Sequence, residues 1–425
     1  MIPMSTADLR RASERLFARG SRLVGWGSGS VFDYFQELHP LRLDYLVDND
    51  SGRWSHLRHG LEIVPPDRLA SDRRADAFVV IYSSSWPEIQ RQLNELGDFR
   101  SLPASAVFAD AGTRAKLAWS EEIAARPATV RRPNAKNAIV VQGPVVDGVT
   151  THVLRVLTAL HPHDQVILST WDDTEAQSLA EASAAADDVV LSAKPAHGGI
   201  QNRNHQIVST RAGIARAIEH GARTVLKTRT DLAVLASPLF DQARWWLDRV
   251  GGGAARAAGL RRRLIVPSSF TRKFLLYHPA DLVMLGDAED LLQFWSAPLD
   301  PRSGELLTTP RLDQSIAAVN MDGNPTESYL GLQFCRAIGR RAPGTLADSW
   351  TFYRDLFAVV DNDWFDLLWF KNLSIPDAAI RRGPRQTVSQ QFWQRLAFDV
   401  GDLSDEASSV DPAGTSLRTF ACAGS

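Results

Sequence analysis

The sequence predicts an α/β protein with two successive sheet-forming domains and a more helical C-terminal part. Three observations predict it. Strand-length apolar runs alternate with helix-spaced stretches in two separate registers, one within residues 1–110 and one starting at Asn137. At 425 residues the chain is long enough for two hydrophobic cores. Its composition, 44% hydrophobic and 23% charged, is that of an ordinary globular protein.

The bulk numbers also exclude classes. A formal net charge of -2 gives no electrostatic argument for nucleic acid as a partner. Cys335 and Cys422 have neither metal-ligand spacing nor the makings of a disulfide framework, which suits a reducing cytoplasm. The amphipathic start, MIPMSTADLRRASERLF, lacks the apolar centre of a signal peptide, and no run approaches the roughly 20 apolar residues that cross a bilayer. A cytoplasmic chain, in at most peripheral contact with the inner membrane face, is expected.

In the first register, SRLVGWGSGS places Gly25, Gly27 and Ser30 in a G-x-G-x-x-S turn after a short strand. A helical stretch follows, then a strand at Leu43–Val47 ending in Asp48, Asn49 and Asp50, and the buried strand AFVVIY from Ala77. Glycines that admit a pyrophosphate, with an acid about 20 positions on for ribose hydroxyls, are dinucleotide-site features. Residues 1–110 therefore read as a Rossmann-like domain with Gly25, Gly27, Ser30 and Asp48 as nucleotide candidates. Serine at the third glycine position leaves a scaffold without a working site equally open, so no dinucleotide is firmly implied. Residues 111–137 begin helically and end in a linker marked by Pro127 and Pro133.

The second register runs from strand Ala138–Val141 with the turn Gln142-Gly143-Pro144, through helix Thr151–Leu160, strand Gln165–Ser169 with Trp171 and Asp172 after it, and strand Asp188–Ser192. Next comes NRNHQIVSTRAGIARAIEHGARTVLKTRTD, Asn202 to Asp231. Ile207, Ile214 and Ile218 have helical spacing, Asn202 and Asn204 are candidate N-caps, and Gly221 suits a helix end. Thr224–Leu226 reads as a buried strand. Lys227, Arg229 and Asp231 follow on alternate positions, which on an extended segment share a face. Ligands of open α/β sheets sit outside the carboxyl ends of the strands, so the pattern predicts a nucleotide diphosphate at this edge.

Further along, GGGAARAAG at 251–259 reads as a flexible loop and Leu264–Pro267 as a strand. Ala280–Trp295 turns helical around Gly286, and Thr326–Ala337 is a helix. The aromatic stretch around Trp364, Trp369 and Phe370 fits either core or a membrane-surface patch. Residues 376–425 form a C-terminal extension expected to be partly disordered.

The pieces IVVQGPVVDGVTTHVLRVL, VILSTW, DDVVLSAKP and the Asn202–Asp231 stretch, taken in order, resemble the WavE-type lipopolysaccharide synthesis family. The resemblance covers Ile139 to Asp231 and extends loosely to Lys371. It implies that residues 138–375 form a GT-A-like glycosyltransferase domain moving a sugar from a nucleotide-sugar donor to a lipid-linked or oligosaccharide acceptor in surface-polysaccharide assembly. GT-A enzymes usually carry a D-x-D pair after the fourth strand. Here that place reads Arg229-Thr230-Asp231, a single carboxylate, which with substrate phosphates can hold Mg²⁺ or Mn²⁺. Lys227 and Arg229 neutralising the diphosphate without a metal, and a structural Asp231–Arg ion pair, are the alternatives.

Gln142, Gly143, Pro144, Ser169 and Trp171 are candidates for base and ribose contacts, with core filling as the other reading of Trp171. Asn202, Arg203 and Asn204 stand where a helix N-terminus attracts anions, with plain capping as the alternative for both asparagines. Asp231 and Glu327 are the catalytic candidates. Glu327 would be the general base of an inverting reaction, with Asp281 and Asp313 as rivals. His278 could complete a metal site or be packed. Lys371, one of six lysines in an arginine-dominated chain, is a candidate for the diphosphate. An oxidoreductase or epimerase working through the N-terminal domain, and a non-catalytic assembly protein, remain the rival readings.

Overall fold

The computed structural model describes residues 22–71, 77–83, 85–97, 99–126, 135–302, 314–373, 386–399, 403 and 410–415. The chain divides into two compact units. Among the described residues, one holds those of Glu122–Leu368 and those from 386 on; the other holds those of 22–121 and 369–373.

The unit holding the N-terminal register is built on β1 (Arg22–Trp26), α1 (Ser30–Leu38), β2 (Tyr45–Val47), β3 (Leu57–Arg58), β4 (Leu61–Val64), β5 (Ala77–Ile81), α2 (Trp86–Leu96) and β6 (Arg100–Pro103). Its sheet has the order β3-β4-β2-β1-β5-β6 and is parallel except where β3 pairs with β4. All five residues of AFVVI in β5 are buried, as an unbroken apolar run requires when both faces of a parallel strand are covered. Helix α3 (Ala111–Ala124) spans the division between the units.

The other unit contains β7 (Asn137–Gln142), α4 (Val149–Leu160), β8 (Gln165–Trp171), α5 (Ala176–Ser183), β9 (Asp188–Ser192), α6 (Arg203–Glu219), β10 (Thr224–Arg229) and β11 (Leu232–Val234). It continues with α7 (Leu239–Val250), β12 (Leu264–Pro267), β13 (Met284–Asp287) and α8 (Ala288–Trp295). The more helical part adds α9 (Ile316–Met321), α10 (Thr326–Ala337), α11 (Leu346–Leu356), β14 (Phe357–Val360) and α12 (Gln390–Ala397). Its main sheet has the order β14-β12-β13-β10-β7-β8-β9. The four strands expected to be parallel, β7, β8, β9 and β10, are so, whereas β13 runs against both neighbours.

Strand order decides where this sheet can hold a ligand. From β7 the chain moves outward to β8 and β9, then returns through α6 to lay β10 on the opposite side of β7. Connections therefore diverge at β7/β10, and the edge beyond their carboxyl ends, the candidate crevice, is where open α/β sheets take their ligands. Residues opposite each other in register share a face, so Lys227 beside Val140 and Arg229 beside Gln142 point to one side. Helix α6 covers that side, where a Cβ on Gly213 would lie 2.4 Å from Val140 Cγ1 and 2.9 Å from Ser169 Cβ.

One expectation changes and one open reading narrows. The stretch 251–259 contains a short helix, Gly253–Ala257. Trp369 and Phe370 are buried and Trp364 is half-buried, which favours the core-filling reading of these aromatic residues. Of the C-terminal extension, only 386–399, 403 and 410–415 lie within the described residues.

The Gly213 contact generates a prediction. Gly213→Ala should raise helix propensity yet lower unfolding free energy by about 1–3 kcal/mol, because the methyl overpacks the α6–sheet seam. Chemical denaturation checks this; a variant as stable as the parent would show that the seam gives way.

Candidate functional site

The crevice floor is backbone held close by a glycine. Gly143 has φ +128°, and a Cβ there would meet Thr230 Oγ1 at 3.0 Å. Its N–H donates to the Ser169 carbonyl at 3.1 Å, while Thr230 N–H donates to the Gln142 carbonyl at 3.1 Å. The three strand ends are thereby joined. The Gln142 side chain is buried under α6, where its Oε1 accepts the Ser209 hydroxyl at 2.8 Å. Ser169 is fully buried and donates its hydroxyl to the Ser209 carbonyl at 2.7 Å. Both side chains thus bind the helix to the sheet. Trp171 is also buried, its ring edge-on to His205, which favours core filling over an exposed stacking platform. Pro144 is exposed at the rim.

Asp231 does not extend the strand. β10 ends at Arg229, Thr230 turns, and Asp231 comes back to receive Arg229 Nε at 2.8 Å and Nη2 at 3.0 Å. A two-pronged pair of this kind fixes the guanidinium plane. The Arg229 side chain is 24% exposed and that of Asp231 9%, so the arginine is the less covered of the two. Asp231 raises the Arg229 pKa against the effect of burial.

Lys227, two residues earlier on the same face, is fully buried. Its Nζ donates to the carbonyls of Asp281 and of Leu282, the latter at 3.4 Å, and lies 4.6 Å from the Trp295 ring centre. Burial pulls its pKa down. The expected diphosphate contact by Lys227 is therefore corrected: its ammonium is sealed beneath the segment that leads into β13. Around it gather Asp281, Glu327 and His278. Burial pushes the Asp281 carboxyl up, with the Glu327 charge adding to the effect. Burial likewise raises Glu327, although its own backbone N–H, Arg272, Arg203 and Lys227 oppose that. His278 Nε2 lies 3.5 Å from Glu327 Oε2.

The residues ahead of and inside the start of α6 serve the fold. Arg203 is completely buried, with Nε on the Ile200 carbonyl at 3.0 Å and its two terminal nitrogens on the carbonyls of Gly323 and Asn324. It also pairs with Asp300 at 3.1 Å and lies 4.6 Å from the Tyr329 ring centre. Burial lowers its pKa to about 10, partly offset by Asp300. No phosphate can reach it. Asn204 lies in the helix instead of capping it: Oδ1 accepts the Asp300 N–H at 2.7 Å and Nδ2 donates to the Asp300 carbonyl at 2.8 Å. Asn202 occupies the N-cap position in a left-handed conformation, φ +58°, without a side-chain capping bond, and is exposed.

Other expectations resolve elsewhere. Lys371 belongs with the N-terminal unit, where its carbonyl accepts Trp86 Nε1 at 3.2 Å. Asp313 lies outside the described residues. In the N-terminal unit Gly25 sits within β1, against Leu43 and Leu46, and Ser30 opens α1. Only Gly27 needs glycine in the turn, at φ +103° with a Cβ position 2.6 Å from the Tyr82 carbonyl. Asp48, the ribose candidate, accepts the Ser28 N–H at 2.8 Å, the Ser28 hydroxyl at 2.6 Å and the Asp50 N–H at 2.9 Å. Burial opposes ionisation there, but those hydrogen bonds hold its pKa below the usual value. The carboxylate serves its own loop.

Asp231 is poorly disposed toward a divalent cation. Both Asp231 oxygens face Arg229, and among the described residues no three His, Cys, Asp or Glu side chains gather as metal ligands do. The expected Asp231 metal site does not fit this arrangement. Beside the crevice loop, between the starts of α4 and α5, lies a cavity of about 250 Å³ lined by Val145, Asp147, Gly148, Thr151, Glu175 and Glu181 among others. Its carboxylates suit hydroxyl or amino groups and repel phosphate. Sequence reasoning missed this cavity, and it missed Arg272 and Asp300, whose importance comes from partners far along the chain. A faint signal existed in the Asp300-Pro-Arg302 spacing, the mirror image of Arg229-Thr230-Asp231.

Residues 138–341 match the family model described as WavE lipopolysaccharide synthesis. That stretch begins on β7 and ends after α10, so it contains the whole crevice and the charged group beneath it. The match connects this unit with lipopolysaccharide synthesis. No curated protein matches the chain. Among the described residues no helix is long and apolar enough to cross a membrane.

Burial of His278 generates a pH prediction. Its folded pKa falls to about 4, through burial first and the Arg272 charge second, against an ordinary value of 6.5. The folded protein keeps the imidazole neutral while the unfolded chain protonates it. Its stabilising effect is complete above pH 6.5 and is lost as pH falls toward 4, by up to about 3 kcal/mol. Glu327 and Asp281 act in the opposite sense, so the comparison is with His278→Asn, whose stability should fall less between pH 6.5 and 4. Parallel acid-unfolding curves for the two proteins would contradict this.

Proposed function

We propose that this chain is a nucleotide-sugar-dependent glycosyltransferase, with a GT-A-like catalytic unit, acting in the assembly of lipopolysaccharide or a related surface glycan. The observation that carries the reading is the Arg229–Asp231 fork at the β7/β10 switch. A partly exposed arginine side chain, its guanidinium plane held by its carboxylate partner, stands at the carboxyl edge where an open α/β sheet receives ligands. The match to a lipopolysaccharide synthesis family over that stretch supports it.

In this reading the donor diphosphate lies against Arg229, and the nucleoside extends toward the carboxylate-lined cavity beside the Gly143–Gly148 loop, which suits ribose hydroxyls. As the bond between the anomeric carbon and the diphosphate breaks, negative charge grows on the leaving oxygen, and a preoriented guanidinium stabilises that charge more than it stabilises the intact donor. Asp231 is then a positioning residue: it fixes the plane of Arg229. Glu327, partly accessible at the start of α10, is the base that takes the proton of the acceptor hydroxyl. Its elevated pKa makes it a stronger proton acceptor than an ordinary carboxylate.

Thermal shift against a panel of nucleoside diphosphates, with and without Mn²⁺, tests the donor site. One nucleotide should raise the melting temperature of the full chain by a few degrees at saturating concentration. Arg229→Met should abolish the shift, and Asp231→Asn should lower turnover of the matching nucleotide sugar at least about tenfold. A shift that requires Mn²⁺ would assign leaving-group stabilisation to a phosphate-borne metal. No shift with any nucleotide, under either condition, would sink the reading.

A further inference from the structure

His278 is held by its surroundings in one tautomer. Its Nδ1 lies 3.1 Å from the Phe270 carbonyl, an oxygen that can only accept, so Nδ1 carries the proton of the neutral ring. The other nitrogen, Nε2, then presents a lone pair, and it faces Glu327 Oε2 at 3.5 Å. The backbone that carries the ring is held on both sides, and burial confines the ring itself. His278 N–H donates to the Tyr353 hydroxyl at 2.7 Å, the His278 carbonyl accepts Arg272 N–H at 3.1 Å, and the residue is buried. A lone pair and a carboxylate oxygen that face each other repel when both are bare and attract when one proton lies between them. The arrangement is therefore built for the protonated state of the pair.

We propose that His278 is the positioning residue of Glu327, its Nε2 lone pair accepting a hydrogen bond from the carboxyl that forms when Glu327 removes the proton of the acceptor hydroxyl. This deepens the transferase reading and rests on it for the origin of that proton. The O–H bond of the acceptor breaks and its proton passes to the Glu327 carboxylate. The oxygen's electron pair forms the new bond to the anomeric carbon, and the pair of the broken C–O bond leaves on the diphosphate. The proton then bridges Oε2 and Nε2, where a distance of 3.5 Å shortens as the hydrogen bond forms, and it returns to water after product leaves. Other charged or titratable groups acting on the pair are Arg272 and Asp281 from the flanking loop, Lys227 from β10, Arg203 from α6 and Tyr353 from α11. Tyr353 does not compete for Nε2, because its hydroxyl donates to the Arg272 carbonyl at 3.0 Å.

The test uses His278→Asn in the full chain. Its amide can still donate to Phe270 but offers nothing at the position of Nε2. The first readout is the ¹³C-carboxyl titration of Glu327 by NMR, assigned by the signal missing from Glu327→Gln. The Glu327 midpoint should fall in His278→Asn, since the protonated carboxyl has lost its acceptor; an unchanged midpoint would overturn the proposal. The second is turnover of the nucleotide sugar identified by thermal shift, where kcat should drop about tenfold or more while the donor KM stays put. A lowered midpoint with unchanged kcat would also overturn it. Should the parent turn over no nucleotide sugar, the transferase reading fails separately and the Glu327 midpoint still decides the pairing. If His278→Asn does not fold, His278→Gln, whose amide nitrogen in the place of Nε2 can only donate and so favours the ionised carboxylate, should lower the Glu327 midpoint likewise, and an unchanged midpoint there would overturn the proposal.

Discussion

Parallel pairing of β7 with β10, from Asn137 against Thr224 to Gln142 against Arg229, is the constraint on which the rest of this unit depends. It places two strands far apart in sequence side by side, ending level, with their connections leaving in opposite directions. The open edge follows from that. So does the shared face of Val140, Gln142, Lys227 and Arg229, and with it the covering by α6 through Ser209 and Gly213. A shift of one residue in this register would turn Lys227 and Arg229 to the other face of the sheet.

The charges along β10 are sorted by depth. Arg229 lies at the strand end, partly accessible, with a partner that fixes its plane. Lys227 lies one pleat inward, under Asp281 and Leu282 and over the Trp295 ring. Beyond it, Asp281, His278 and Glu327 share a poorly solvated volume, in which burial and then the Glu327 charge raise the Asp281 pKa while Lys227 and His278 lower it. Such a group is costly to build. Breaking one buried ion pair alone typically costs about 3–5 kcal/mol. Arg203 shows how the structure meets that kind of cost, with backbone carbonyls and Asp300 around a guanidinium that water does not reach. It joins the start of α6 to the turn before α10, and so helps set where Glu327 stands.

The expectations that held were local ones. Strands at Asp188–Ser192 and Leu264–Pro267 and the helix Thr326–Ala337 have the bounds read from periodicity, and the change from strand to helix near Gly286 falls within two residues of that position. Where the reading failed, it failed on partners. Arg203 looked like an anion ligand because a helix begins there, but its acceptors are carbonyls 120 and 121 positions away. Asp48 looked like a ribose ligand because it follows a glycine turn by the right interval, yet Ser28 within that turn takes it. Ser28 was visible in the sequence; that its hydroxyl would point back at Asp48 was not.

What the sequence by itself determined was the order and type of elements, and that Lys227, Arg229 and Asp231 gather at the end of a buried strand. Those properties follow from short-range periodicity and turn chemistry, which neighbouring residues set among themselves. Only the tertiary structure decided what each charge does. Lys227 and Arg229 are two residues apart on one face, so nothing local distinguishes them. The segment before β13 and the Trp295 ring cover the first and stop short of the second. Asp231 lay on the predicted face only if the strand continued, and the turn at Thr230 brought it back onto Arg229. Depth and partnership are long-range properties, fixed by which surfaces pack together, and in this protein they separate a buried structural lysine from the arginine that faces the crevice.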